Sequence, residues 1–141
     1  MTAWSDDIEA IEQLKARYCR TMDTKDWDSM RSLFADDVTI DTTESGGNVV
    51  TGADEFMAFL RQAIGDVTTV HHCHMPEIER TSPTTAAAVW AMEDMLRWPH
   101  GTELHGYGHY HETYEKQAGT WRITTSRLTR LRMDFTGGSA G

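Results

Sequence analysis

Apolar side chains recur at helical spacing through the first part of the chain and at alternating spacing through the rest. In "DDIEAIEQLKARYCRTM", Ile8, Ile11, Leu14, Tyr18 and Met22 fall on one stripe, which predicts an amphipathic helix. Ser5 is placed to cap it, and Asp6 and Asp7 bring the sign of charge that a helix N-terminus prefers. Asp26 is placed to cap a second, shorter helix with Trp27, Met30, Leu33 and Phe34 on its inner side. "DVTIDTT" reads as a short strand. "GADEFMAFLRQAIGD" reads as a third helix with Phe56, Phe59, Leu60, Ala63 and Ile64 on one face, and Gly65 stands where a C-terminal cap glycine belongs.

From about residue 67 the pattern changes to period two. "VTTVHHCHMPEIER", "TTAAAVWAMEDMLRWP", "TELHGYGHYHETYEK" and "TWRITTSRLTRLRMDF" are long segments rich in Thr, Val, aromatics and His. They are separated by the turn signals "TSP", "PHG" and "QAG". Helices followed by hairpin-connected strands predict an α+β fold, an antiparallel sheet covered on one face by helices. With no internal repeat and no linker, residues 1–136 are expected to form one domain and 137–141, "GGSAG", a disordered tail.

Composition narrows the class. The 141 residues, 39% hydrophobic and 25% charged, suit an ordinary globular domain with its own core. A net charge of −9 argues against nucleic acid and anionic membrane surfaces as partners. Cys19 and Cys73 are too few for a disulfide framework and are expected to be reduced, as in the cytoplasm. "MTAWSDDIEA" is acidic and lacks the apolar stretch of a signal peptide, and no apolar run reaches membrane-spanning length.

The chemistry hinges on the strand faces. Alternation puts His71, Cys73 and Met75 on one face and His72 and His74 on the other, so the three neighbouring histidines cannot converge on one ion. His105, Tyr107, His109 and His111 share one face of a later strand, Tyr110, Glu112 and Tyr114 the other. A metal site would have to borrow from that strand, and none is expected. Asp94 is in phase with Trp90, Met92 and Leu96. An acid sharing a face with bulky apolar residues is costly to bury unless paired, and the reading without function, for it or for Glu93, is a rim salt bridge to an arginine of "SRLTRLRMD". Glu93 on the opposite face is the rival choice. Arg130 and Arg132 share a phase and can either line a pocket or face solvent. Asp23 follows the apolar stripe of the first helix. A carboxylate at a helix C-terminus is disfavoured by the dipole and makes more sense bonded to an imidazole.

The segments "YCRTMDTKDWDSMRSLFADDV", "TTVHHCHMPEIE" with "AVWAMED", and "GHYHETYEKQAGTWRI" together resemble the SnoaL-like branch of the nuclear-transport-factor-2-like superfamily over nearly the whole chain. "MDTKDWD" and Thr69-Val70-His71 are similar to scytalone dehydratases. The Tyr18 and Asp23 pair is similar to that of bile-acid 7α-dehydratases. The resemblance implies a cone-shaped α+β roll of cystatin-like form, a curved sheet wrapped around a pocket and closed by three N-terminal helices. It implies that His71 lines the pocket, with His72 as the rival should the register slip by one, and that His109 is a second pocket histidine.

On this reading Asp23 fixes the tautomer of His71. His71 removes a proton next to a carbonyl and returns it to a departing hydroxyl, while Tyr18, with His109 or Asp94, stabilises the enolate. Trp90, Met92, Asp94, His72 and Arg130 would contact the substrate. No cofactor is expected, since no phosphate-cradling or dinucleotide pattern is present. The expected partner is a small hydrophobic cyclic hydroxy-carbonyl compound. Two alternatives stay open: a polyketide cyclase, and a non-catalytic binding or assembly module. A homodimer or higher homo-oligomer through the sheet face, with Trp90, Trp98 and Trp121 in the interface, is compatible with each.

Overall fold

A computed structural model describes residues 3–137. It contains the helices α1 (Trp4–Asp23), α2 (Trp27–Arg31) and α3 (Ala53–Ile64). The strands are β1 (Phe34–Asp41), β2 (Val49–Thr51), β3 (Thr68–Ser82), β4 (Thr85–Arg97), β5 (Glu103–Gln117) and β6 (Thr120–Thr136). Of the expected disordered tail, residues 138–141 lie outside the described residues. No described helix is long and apolar enough to cross a membrane.

The helices begin and end for local reasons that differ in part from those expected. Ser5 does not cap α1. The cap is Ala3, whose carbonyl accepts from the N–H groups of Asp6 and Asp7 at 3.0 and 3.2 Å, because Trp4 already packs against the core. At the other end Asp26 N–H bonds Thr21 O at 2.9 Å and Lys25 N–H bonds Met22 O at 3.2 Å, a Schellman closure. Its left-handed position is filled by Lys25 at φ 60 rather than by glycine. Asp26 then caps α2, accepting from Ser29 N–H at 3.3 Å. Gly65 ends α3 in the right-handed region, at φ −58, so it is not a left-handed cap.

The sheet is mixed and strongly curved, in the order β2-β1-β6-β5-β4-β3. Every neighbouring pair is antiparallel except β1 and β6. Strand β1 starts earlier than "DVTIDTT" suggested, since Phe34 already pairs with Ile123. Leu33 and Phe34 are buried as expected, but they lie beyond α2. The short β2 and a 3-10 turn at Thr43–Ser45 were not anticipated. The β5–β6 hairpin closes through Ala118 at φ 50 and Gly119 at φ 82, the backbone of a type I′ turn.

The helices lie on the concave face, and the core sits between. Inward residues alternate along the strands: Ala86, Ala88, Trp90, Met92 and Asp94 on β4, then Leu104, Tyr110, Glu112 and Tyr114 on β5. Trp90 and Trp121 are each 5% exposed inside this core, so neither is available to the outer-face interface expected for them, and Trp98 is half-buried at the β4–β5 turn. Two of the sheet's bulges bear on the expected faces. One between His74 and Glu77 puts Met75 at φ 49 and turns it out to solvent, off the face it was expected to share with His71. Another between Arg130 and Arg132 sends Arg130 inward and Arg132 outward, so the two do not share a phase.

A fully buried ion pair fastens α1 to the sheet. Lys15 Nζ donates to Glu112 Oε2 at 2.7 Å, with both side chains wholly inaccessible. The ammonium also sits 3.6 Å from the ring centroids of both Tyr18 and Tyr110. Glu112 accepts further bonds from Ser126 Oγ and Tyr114 Oη, each at 2.7 Å. Breaking such a pair on one side leaves an uncompensated buried charge, so Lys15→Met should cost about 3–5 kcal/mol in urea unfolding. The double variant Lys15→Met/Glu112→Gln should recover much of that loss. If the double variant is as unstable as the sum of its singles, the pair does not act as a unit.

Candidate active site

The centre of the site lies where the end of α1 meets the start of β3. Asp23 Oδ1 is 2.7 Å from His71 Nδ1, and its Oδ2 accepts the backbone N–H of His71 at 2.8 Å. Thr69 Oγ1 donates to Asp23 Oδ1 at 2.9 Å and in turn accepts from Lys25 Nζ at 2.8 Å. Three donors therefore offset the unfavourable end of the helix dipole at Asp23. A neutral His71 must carry its proton on Nδ1 to serve this carboxylate, which leaves Nε2 as the ring's acceptor.

His71 forms part of the wall of an inner cavity of about 170 Å³. Beside it, as its cross-strand partner on β4, stands Asp94, joined to Arg130 by two hydrogen bonds of 2.8 and 3.0 Å in the fork-to-fork geometry. Ser45 Oγ accepts from Arg130 Nε at 2.8 Å, and the Glu44 carboxylate accepts the Arg130 backbone N–H at 3.0 Å. The remaining wall is apolar, with Phe56, Phe59, Leu60 and Ile64 from α3 and Met22 from α1. Larger grooves of about 580 and 500 Å³ run elsewhere, and one of about 530 Å³ touches His71 from its other side. None of the three joins His71 to Tyr18, Asp94 and Arg130, so these buried polar groups single out the inner cavity.

Tyr18 reaches the same cavity from the apolar stripe of α1. Burial, and secondarily the charge of Glu112, hold its hydroxyl well above the usual tyrosine range, so it stays a proton donor. Tyr110 is raised too, chiefly by burial. Their rings meet edge to face at 5.6 Å.

Of the residues expected in the site, Asp23, His71, Tyr18, Asp94 and Arg130 are brought together. His109 is not. It faces outward with His105, Tyr107 and His111, because the inward phase of β5 belongs to Gly106, Gly108, Tyr110 and Glu112. His72 is likewise exposed, one residue out of phase with His71 and paired across the sheet with Glu93. Trp90 and Met92 do point inward, but they pack beneath the cavity: Trp90 Nε1 donates to Tyr114 Oη at 2.9 Å, and Met92 Sδ lies 3.9 Å from Arg130 Nη1. Among the described residues no group of three or more His, Cys, Asp or Glu side chains is placed to hold a metal ion.

The sequence reading missed Tyr110, Ser45 and the α3 wall as cavity residues. The glycines carried a usable signal. A Cβ on Gly106 would fall 2.3 Å from Asp94 Oδ1 and 2.4 Å from Arg130 Nη1. The phase that contains these glycines therefore has to be the crowded, concave one.

The chain matches the SnoaL-like domain over residues 4–127. It therefore belongs to the SnoaL-like family. A relative named "Probable cyclase FGR4", from Gibberella zeae, is 29% identical over 136 residues, 86% of this chain and 89% of that protein. Among solved structures, a scytalone dehydratase candidate from Novosphingobium aromaticivorans superposes with a TM-score of 0.83 at 23% identity, covering 95% of this chain and 90% of the other. The hexachlorocyclohexane dehydrochlorinase LinA-type3 from Novosphingobium barchaimii gives 0.83 at 14% identity, covering 95% and 92%. These likenesses establish the cone-shaped fold.

Gly106→Ala should leave the fold intact while forcing Asp94 and Arg130 apart. A crystal structure of the variant is expected to show at least one of their two hydrogen bonds lost. An unchanged fork would mean that the glycine is not what makes room for the pair.

Proposed function

We propose that this protein is a cofactor-independent lyase or isomerase of the dehydratase type, acting on a small hydrophobic cyclic compound that carries a hydroxyl β to a carbonyl. The observation that carries this reading is the 2.7 Å contact between Asp23 and His71 Nδ1 at the wall of a mainly apolar cavity. Asp23 positions the imidazole. His71 Nε2 takes the proton from the carbon between carbonyl and hydroxyl. Electrons move into the carbonyl, and the enolate oxygen is met by the Tyr18 hydroxyl, which its neighbourhood keeps protonated. His71 then hands its proton to the β-oxygen as the C–O bond breaks. The products are water and an α,β-unsaturated carbonyl compound, and the base is restored. Asp94 was expected as a second enolate donor, but both of its oxygens are engaged by Arg130, so its part is to hold that guanidinium at the cavity wall.

A second reading, cyclisation of a polyketide-like chain, draws on the 29% identity to the protein named "Probable cyclase FGR4". It uses the same proton abstraction by His71, with the enolate carbon attacking a second carbonyl. A cavity of about 170 Å³ suits the smaller dehydration substrate better.

The test is a panel of cyclic β-hydroxy ketones, followed by ultraviolet absorbance of the conjugated product. His71→Ala is expected to reduce kcat by about 10²–10⁴-fold. Asp23→Asn should fall in the same direction, and Tyr18→Phe should lower kcat more than it raises KM. Melting temperatures should stay close to the parent's. Turnover that survives His71→Ala would sink the acid–base reading, and a collapse in melting temperature would assign His71 to the core.

A further inference from the structure

We propose that Cys19 and Cys73 form a peroxide-responsive thiol pair that closes to an intramolecular disulfide between α1 and β3. Their Sγ atoms lie 3.4 Å apart, across the junction that also carries Asp23 and His71. A disulfide bond is about 2.05 Å long, so the sulfurs need to approach by roughly 1.4 Å, within reach of side-chain rotation and a small slide of the helix. Both side chains are half-buried rather than sealed. A groove of about 530 Å³ passes over them between Lys15 and Ala16 on one side and His72 and His74 on the other, room enough for hydrogen peroxide.

The two thiols are not equivalent. Lys15, Cys19 and Asp23 follow one another at intervals of one helical turn along α1, and Cys73 shares the inward face of β3 with His71. The hydrogen bond shared with Cys73 lowers the pKa of Cys19 first and foremost, and the Lys15 ammonium works in the same direction. The same hydrogen bond and burial push Cys73 upward. Thiolate character therefore collects on Cys19, which makes it the attacking sulfur, and Cys73 is the resolving one.

The chemistry balances with one peroxide. The Cys19 thiolate attacks an oxygen of hydrogen peroxide, the O–O bond breaks, and the departing oxygen leaves as water once protonated, giving a sulfenic acid. Cys73 then attacks the Cys19 sulfur, the S–O bond breaks, and a second water leaves. Two thiols lose two electrons and one peroxide gains them. The bond would close a loop whose ends are 54 residues apart. It should raise the melting temperature by roughly 10 °C, because the unfolded chain is the more constrained of the two states.

The experiment treats the reduced full chain with stoichiometric hydrogen peroxide. The expected result is a mass loss of about 2 Da, a proteolytic peptide joining Cys19 to Cys73, and reversal by dithiothreitol. In Cys73→Ser the sulfenic acid should persist on Cys19 and be captured by dimedone, whereas Cys19→Ser should give no adduct. Both thiols remaining open to alkylation, or oxidation running on to a sulfinic acid without a link, would overturn the pair. Should either variant fail to fold, the linked peptide from the parent chain decides. The readouts are mass and melting temperature, so the result is independent of any catalytic activity.

Discussion

The contact on which the arrangement depends most is the buried pair of Lys15 and Glu112. An ammonium and a carboxylate removed from water each cost several kcal/mol, and only close mutual pairing with further hydrogen bonds offsets that. Here the ammonium is sandwiched between the rings of Tyr18 and Tyr110, and the carboxylate is bonded by Ser126 and Tyr114, which in turn accepts from Trp90. The network reaches from α1 across β4, β5 and β6. A rotation of α1 about its axis would strand both charges, so the helix has one setting over the sheet. Everything else α1 brings to the interior inherits that setting: Tyr18 less than a turn further on, Cys19 one turn on, and Asp23 at its end.

The cavity follows the same rule on a smaller scale. Each charged or strongly polar group on the concave face has a partner that spends part of its hydrogen-bonding capacity. Asp23 is bonded by Thr69 and twice by His71, and Asp94 by Arg130. What remains unspent faces the apolar hollow lined by α3. A site built this way is pre-organised, because the groups that would act are held by neighbours rather than by a ligand. Glycine makes the crowding possible, since no side chain at residue 106 could coexist with the Asp94–Arg130 fork.

The family context sets bounds on chemistry without choosing it. One cone-shaped scaffold appears in proteins named for cyclisation, dehydration and dehydrochlorination, so fold fixes where a reaction happens and side chains decide which. In this chain the side chains at that place are an imidazole oriented by a carboxylate, a tyrosine kept protonated by its surroundings, and a guanidinium tied to an acid. The proposed transfer of one proton from carbon to oxygen draws on that set.

Local spacing was enough to determine the order of the three helices and of every strand but β2, the three hairpin turns, and the division of each long strand into two alternating sets. Helix periodicity, turn residues and the pleat are properties of neighbours in the chain. It also brought Tyr18 and Asp94 forward as polar residues in phase with apolar ones, whereas Asp23 rested on its place at a helix end, His71 on the family resemblance, and Arg130 stayed open between pocket and solvent. Which alternating set of β5 faces inward was not legible in the same way. His109 lay in the set richer in chemistry, and only the curvature of the sheet, which crowds one face and opens the other, gave the concave side to the glycines and Tyr110. The separation of Arg130 from Arg132 and the ejection of Met75 rest on single-residue bulges. A bulge depends on how the neighbouring strand is paired, and that pairing is decided by the tertiary structure alone.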